Sequence, residues 1–320
     1  MKRILGMVLA AASALAAAQE YPSKPIHMLV PFAPGGAVDT TARVLAQAMQ
    51  QRLPSWQFVI ENKPGGNGFI ATTAVAKSAP DGYTLLMAHT GEFAVNPALF
   101  SDVPYELERD FVPITMVSDA PMLYLASAKA PFNTFQELVA QAKAKPGSIS
   151  YGSAGNGSIN HLAGEWLAQA AGIQLLHVPY KGGAPAAAAV AAGDVHFGVM
   201  AAPGAMPHIK SGRGKVIGIT TAKKSPLDPS WATPRDAGIP DLDAPIWVGL
   251  FAPKGTPQPI VERLNHEVRE TLKQPDVQKR FIESAGGEAL GMSQADLLAR
   301  IKADAERYKR VVRQAGVKPG

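Results

Sequence analysis

Three turns rich in small residues could bind an anion through their backbone. Residues 32–39, 153–161 and 180–185 each separate a short apolar run from a segment with helical periodicity. Helix starts leave backbone N–H groups unpaired and carry a partial positive charge. Glycines such as Gly35 and Gly36 let a ligand approach the backbone closely. The pattern predicts a carboxylate or phosphate pocket lined mainly by backbone donors, including those of Ala37, Ser153 and Ser158.

Three polar side chains near these turns have two interpretations each. His161 could contact a ligand or hold its own loop. Asp39 could contact a ligand or cap the helix that starts beside it. Lys181 could pair with a carboxylate, but the sequence slightly favours a solvated lysine in a turn.

The motifs expected of an enzyme are incomplete. Ser153 and His161 could form a nucleophile and its base, but Tyr151 stands where a nucleophile elbow needs glycine. Residues 66–71 match a dinucleotide-binding pattern without the acidic residue that ribose recognition needs. His266 and Glu267 are not followed by the second histidine of a zinc-protease motif. The sequence therefore predicts no catalytic residue, no metal site and no cofactor.

The elements that position these turns alternate along the chain. An apolar run at 26–30 reads as a strand, and Val44, Leu45, Ala48 and Met49 give the next segment a helical face. The same alternation recurs through the chain, which predicts parallel βαβ units and an α/β fold. The 320 residues exceed one typical core, so two domains are expected.

The first residues have the features of an export signal. Lys2 and Arg3 precede an apolar run at 4–15, and an A-x-A site predicts cleavage after Ala18. Export to a periplasm fits a chain without cysteine. Without Lys2 and Arg3 the formal net charge falls from +5 to +3, and no basic tract indicates nucleic-acid binding.

Seven short segments carry a resemblance to a known family. They are PSKPI at 22–26, VPFAPGG at 30–36, ENKPGG at 61–66, PDGYT at 80–84, NPAL at 96–99, YGSAG at 151–155 and VPYKG at 178–182. In this order the sequence resembles the solute receptors of tripartite tricarboxylate transporters, also called Bug proteins. The resemblance covers nearly the whole mature chain.

The resemblance implies a monomeric two-domain periplasmic binding protein of type II-like architecture. Each domain is expected to be a mostly parallel sheet flanked by helices, with the ligand in the cleft between them. The first domain would comprise residues 21–122 and 244–320, and the second residues 123–243. Domain closure would capture a small carboxylate, either aromatic or a di- or tricarboxylate, for uptake through membrane transporter subunits. One alternative is that the chain is the periplasmic partner of a signalling system. A weaker alternative is a periplasmic hydrolase that acts on a carboxylate.

The resemblance also implies which residues contact the ligand. Two loops would grip it, and the turn at 180–182 and the strand end at Thr90 would complete the pocket. The full predicted set is Phe32, Gly36, Ala37, Asp39, Thr90, Ser153, Asn156, Ser158, His161, Tyr180, Lys181 and Met200. Met200 stands where relatives are expected to carry an acidic residue. Met200, together with Phe32 and Phe93, makes the expected pocket more apolar. This predicts that the ligand is an aromatic or extended carboxylate without an amino group.

Overall fold

A computed structural model describes residues 21–239 and 242–317. The predicted signal peptide, residues 1–18, lies outside the described residues, as do 240–241 and 318–320. None of the helices in the described ranges is long and apolar enough to cross a membrane.

Eleven strands form two sheets in the described chain. The strands are β1 (Ile26–Val30), β2 (Phe58–Asn62), β3 (Thr84–His89), β4 (Phe111–Ala120), β5 (Met122–Ser127), β6 (Ser150–Ser153), β7 (Leu176–Pro179), β8 (Phe197–Ala201), β9 (Gly214–Ile219), β10 (Ile246–Pro253) and β11 (Glu288–Ala289). The first sheet has the order β11-β4-β10-β3-β1-β2, and the second has the order β7-β6-β8-β5-β9. We call each sheet with its helices a lobe.

Eleven α-helices flank these sheets within residues 21–239 and 242–317. They are α1 (Ala37–Arg52), α2 (Phe69–Ala76), α3 (Asn96–Leu99), α4 (Leu107–Asp110), α5 (Phe135–Ala144), α6 (Ile159–Ala171), α7 (Gly183–Ala192), α8 (Ala202–Lys210), α9 (Gln258–Leu272), α10 (Pro275–Ala285) and α11 (Gln294–Ala315). A 3₁₀ turn covers Gly66–Gly68, and a π-helical turn covers Gly91–Val95.

Both sheets are mixed, where the sequence predicts mostly parallel ones. Strands joined through helices pair in parallel, as β1 does with β2 and β3. By contrast, β10 runs antiparallel to β3 and β4, and β5 runs antiparallel to β8 and β9. Strands β5 and β10 each follow directly after the chain leaves the other sheet. No crossover helix therefore imposes a parallel direction on them.

The chain changes sheet at two adjacent places. Strand β4 ends in the first sheet at Ala120, and β5 begins in the second sheet at Met122. The return runs through Ala244 into β10. Thr220 ties the two passages together, because its hydroxyl donates to the Ala244 carbonyl (2.7 Å) and accepts from the Met122 N–H (3.0 Å). The two connections between the lobes therefore lie side by side.

Helix starts follow the sequence signals closely. Thr134 and Ser293 cap α5 and α11, since their hydroxyls accept from Glu137 N and Asp296 N. Helix α1 begins at Ala37, slightly before the start that the sequence predicts near Asp39. Helices bury their apolar i, i+4 faces against the sheets. Strands made of continuous apolar residues are buried on both faces, and in β10 every residue is buried.

Candidate functional site

A cavity of about 550 Å³ lies between the two lobes. The first lobe contributes the loop at 31–38, the turn at 64–68 and the end of β3. The second lobe contributes the loop at 157–160, the turn at 181–185 and the end of β8. Ile246, at the return passage, also lines the cavity, so the walls meet at the connection between the lobes.

Four helices begin at this cavity. Helices α1, α6, α7 and α8 start at Ala37, Ile159, Gly183 and Ala202, and residues of each first turn line the cavity. Their first-turn N–H groups have no partner within the helix, and the helix dipoles add positive potential. The sequence predicts three of these helix starts at the pocket, and α8 is the addition. Together they make a wall that favours an anion.

The charged side chains in the wall point to the same chemistry. Among the described residues that line the cavity, Lys181 is the only lysine or arginine and none is acidic. His89 is the one lining histidine. Most of the remaining surface is apolar, and it includes Phe32 and Met200. The cavity thus combines anion-binding groups with room for an apolar ligand body.

Six of the predicted site residues line the cavity, and the other six do not. The lining residues are Phe32, Gly36, Ala37, Ser158, Lys181 and Met200. The six that do not line it are Asp39, Thr90, Ser153, Asn156, His161 and Tyr180. Several of the second group hold the loops that form the wall.

Asp39 holds the first loop from the helix side. Its buried carboxylate accepts from Gly35 N (2.9 Å) and Asn62 Nδ2 (2.9 Å), and it pairs with Arg43. Burial raises the pKa of the Asp39 carboxyl, but the hydrogen bonds from Arg43, Gly35 and Asn62 outweigh burial and lower this pKa below its usual value. An ionised Asp39 therefore fixes the turn that precedes α1, although the helix N-cap itself is Gly36.

Ser158 and His161 shape the second loop. The Ser158 hydroxyl caps α6 by accepting from His161 N (3.2 Å), and it donates to the Gly155 carbonyl (2.7 Å). The His161 Nδ1 accepts from Gly157 N (3.1 Å), so this ring supports the loop from within the second lobe.

Ser153 pairs with a different histidine from the one that the sequence suggests. Its buried hydroxyl lies 2.7 Å from Nε2 of His177, and it also accepts from Gly155 N. Neither Ser153 nor His177 lines the cavity. This serine–histidine pair therefore lies beneath the loop and away from the space where a ligand would bind.

The remaining predicted residues also have structural contacts. The buried Thr90 hydroxyl accepts from Trp247 N (3.0 Å), which joins β3 to the return strand. Tyr180 N donates to the Ser153 carbonyl (3.0 Å). Asn156 is exposed, and its carbonyl accepts a hydrogen bond from Asn67 of the first lobe.

Phe93 does not lie at the cavity, contrary to expectation. It is buried among aromatic side chains of the first lobe, with its ring centroid 4.6 Å from that of Phe251. The π-helical turn after β3 directs Phe93 into the core. His89 takes a place in the cavity wall instead, with its ring centroid 4.5 Å from that of Phe32.

Glu92 positions His89 in the wall. The Glu92 carboxylate is fully buried and accepts from His89 N (2.8 Å), and His89 Nδ1 lies 2.8 Å from the same oxygen. At this strand end the sequence analysis selects Thr90 and not His89, although any polar residue at the carboxyl end of a strand is a usual signal for such a site. The wall also contains groups that the sequence did not select, including the turn at 64–68, Gly91, Asn96, Asn160 and Gly204.

Comparison with known proteins identifies relatives over almost the whole chain. Residues 41–317 match the family described as "Tripartite tricarboxylate transporter family receptor". The periplasmic binding protein BugD is 36% identical, with 93% of this chain and 99% of that chain covered and a TM-score of 0.84.

Two similar structures were solved with a ligand. R. palustris Rpa4515 with adipate is 30% identical, with 94% of this chain and 100% of that chain covered and a TM-score of 0.89. MatC from Rhodopseudomonas palustris with bound malate is 32% identical, with 91% and 100% covered and a TM-score of 0.83. These similarities confirm the resemblance found in the sequence segments.

Proposed function

The chain belongs to the tripartite tricarboxylate transporter receptor family, and from that premise we propose that it captures a small carboxylate in the cavity between its lobes. The observation that carries this proposal is the convergence of four helix starts on a cavity whose described lining contains no acidic side chain. Backbone donors at helix starts bind carboxylates without needing a fixed cation.

The cavity supports a ligand with an apolar body. Its volume of about 550 Å³ and mainly apolar lining suit an aromatic acid or an extended dicarboxylate. Adipate, the ligand of one relative, is an extended dicarboxylate, and malate, the ligand of another, is a shorter and more polar one. Met200, buried in the wall at 1% exposure, offers no counter-charge to an ammonium group. The proposed ligand is therefore a carboxylate without an amino group.

The proposed mechanism is closure of two domains around this ligand. We assign residues 21–122 and 244–320 to one domain and residues 123–243 to the other, with the hinge at the paired passages around Met122 and Ala244. The monomeric receptor would act in the periplasm after cleavage behind Ala18, and would deliver the ligand to membrane transporter subunits. Small-angle scattering checks closure, since the radius of gyration should fall when ligand saturates the protein.

A thermal-shift screen tests the proposed ligand class. The panel contains C4 to C6 dicarboxylates, benzoate-type acids and acidic amino acids. A ligand held at a hundred times its dissociation constant stabilises the folded protein by about 2.7 kcal/mol. Recovery of the acid unchanged after long incubation separates a receptor from a hydrolase.

Esterification then tests how the ligand is held. Charge-assisted hydrogen bonds contribute about 1.5–3 kcal/mol each, so a methyl ester should bind at least tenfold more weakly than its acid. Calorimetry on matched acid and ester pairs gives this ratio. Equal affinities would mean that the helix starts do not recognise the carboxylate.

A further inference from the structure

A hydrogen bond crosses between the loops of the two lobes at the edge of the cavity. Asn67, in the glycine-rich turn after β2, donates from Nδ2 to the carbonyl of Asn156 at 3.2 Å. Asn156 belongs to the loop between β6 and α6 in the second lobe. The turn at 65–68 lines the cavity, so the bond joins one wall to the loop that forms the other.

The backbone of Asn67 has an unusual conformation. With φ 50° and ψ 38°, it is the one non-glycine residue in the described ranges with a positive φ. Asparagine tolerates this left-handed conformation better than most residues. The conformation is uncommon in proteins as a whole, and where it occurs it is often found at functional sites.

The Asn67 turn is anchored in the core of the first lobe. The Asn67 carbonyl accepts from Asn96 Nδ2 (2.9 Å), and Asn96 is buried. The same Asn96 nitrogen donates to the Tyr105 hydroxyl (2.9 Å), which in turn donates to the Glu92 carbonyl (3.0 Å). This chain of hydrogen bonds fixes the turn, so the Asn67 amide projects towards the second lobe from a rigid base.

The acceptor loop is equally constrained. Its Gly157, with φ 72°, lies so close to the first lobe that a Cβ there would overlap Leu99 Cδ2. The Gly157 N–H donates to His161 Nδ1, and the Ser158 hydroxyl donates to the Gly155 carbonyl. The Asn156 carbonyl is thus presented by a loop that is tied down on both sides. The two partners are preorganised and meet when the lobes are together.

We propose that Asn67 is a closure latch, a positioning residue whose side-chain amide stabilises the closed arrangement of the lobes and slows ligand release. The proposal rests on the receptor function proposed above. An interaction present only in the closed arrangement shifts the equilibrium towards it by its own free energy. The bond can form whenever the lobes meet, with or without ligand. It must break before a bound ligand leaves, so its loss raises the dissociation rate and does not slow association.

Three variants isolate the latch. Asn67→Gly removes the amide and keeps a residue that accepts a positive φ. Asn67→Ala removes the amide and adds backbone strain, so it also lowers the melting temperature. Asn156→Ala is the matched control, because the acceptor is the Asn156 backbone carbonyl, and the exposed Asn156 side chain does not line the cavity.

Stopped-flow measurements with adipate supply the kinetic readout. Loss of one hydrogen bond of the usual net strength should make adipate dissociate about three- to tenfold faster from Asn67→Gly than from the wild type. Its association rate should be no slower than that of the wild type, and Asn156→Ala should match the wild type in both rates. A slower association with unchanged dissociation would show that Asn67 guides entry, which overturns the latch.

Distance measurements between the lobes test the latch without relying on ligand kinetics. The chain has no cysteine, so Ser55→Cys and Lys143→Cys introduce one exposed label site on each lobe without background. In pulsed electron paramagnetic resonance, Asn67→Gly should gain a population at longer distances, both with adipate and without it. If Asn67→Gly shows the same dissociation rate and the same distances as the wild type, the proposal is overturned.

The same measurements separate failure of the latch from failure of the receptor function. A wild-type protein that binds neither adipate nor any other acid of the panel would overturn the receptor function. The ligand-free distance distributions would then decide the latch. Identical distributions for wild type and Asn67→Gly overturn it, and a shift to longer distances supports it.

Discussion

The imidazole rings of His161 and His177 stack with their centroids 3.8 Å apart and their planes 7° apart. His161 supports the loop through Gly157 N, and His177 supports it through the Ser153 hydroxyl. Burial, and for His161 also the proximity of His177, lowers the pKa of each ring to about 4. Both rings are therefore neutral at pH 7. The His161 contact relies on that state, because a protonated Nδ1 could not accept from Gly157 N.

This pair predicts an acid-sensitive second lobe. In the unfolded chain the two histidines take up protons near pH 6.5, whereas the folded protein resists protonation down to about pH 4. The stability they contribute is complete above pH 6.5 and is lost as the pH falls from 6.5 towards 4. Melting temperatures measured across this range should therefore fall more steeply in the wild type than in His177→Gln.

An exposed histidine provides the control for the acid response. His266→Gln removes a ring on the surface of α9. The melting temperature of this variant should fall with pH as steeply as that of the wild type. Equal slopes for wild type and His177→Gln would show that the stacked pair does not set the acid sensitivity. Glu165, whose carboxylate lies 3.9 Å from His161 Nε2, is the nearby acidic group in this arrangement.

Ser158 is predicted to serve both stability and binding. Its hydroxyl accepts from His161 N at 3.2 Å, and Thr134 makes the same cap to Glu137 N at 3.2 Å on α5. Replacing either cap by alanine should cost about 1 kcal/mol of unfolding free energy. Only Ser158 lines the cavity, so only Ser158→Ala should also weaken ligand binding. Denaturation and calorimetry on both variants test this, and a parallel loss of affinity in Thr134→Ala would contradict it.

Local signals made much of the fold predictable. Thr134 and Ser293 were predictable as caps because the capping contact is formed within one helical turn. Strand β10 was predictable because an apolar run of eight residues must be buried on both faces. Its antiparallel direction was not predictable in this way, because it depends on where the chain re-enters the first sheet.

The candidate site was predictable as loops and less so as individual residues. A loop that lines a cavity needs side chains behind it, and sequence alone does not distinguish these supports from contacts. Asp39 and His161 support loops. His89 lies in the wall itself and is held there by the buried Glu92 carboxylate. Asn67 and Asn156 are far apart in sequence, so their contact depends on how the lobes meet.

Asp304 is predicted to be the most sensitive acidic residue of α11. It is 1% exposed and accepts from Trp247 Nε1 (2.9 Å) and Arg300 Nε (2.9 Å). Asp304→Ala would leave the buried indole N–H without its partner and weaken the pairing of Arg300, so the unfolding free energy should fall by about 3 kcal/mol. The control is Glu306→Ala, which breaks an exposed pair with Lys309 and should leave stability unchanged. Chemical denaturation of both variants makes the comparison, and equal midpoints would contradict it.

Met200 is predicted to exclude amino acids from the cavity. An ammonium group buried against its thioether would lack a counter-charge, while the apolar surface suits an aromatic or extended acid. Met200→Asp should weaken adipate and benzoate at least tenfold, through repulsion between carboxylates and the added cost of desolvation. Met200→Leu, which keeps the wall apolar, should bind both acids nearly as well as the wild type.

Acidic amino acids decide whether Met200 sets the polarity of the pocket. Calorimetry should detect no binding of aspartate or glutamate to the wild type. Met200→Asp should bind them weakly, because the new carboxylate pairs with the ammonium group that the wild-type wall leaves unpaired. Tight binding of either amino acid to the wild type would mean that another group in the cavity compensates the ammonium charge. The preference for carboxylates without an amino group would then have to be abandoned, even if the ester comparison still showed that helix starts hold the acid.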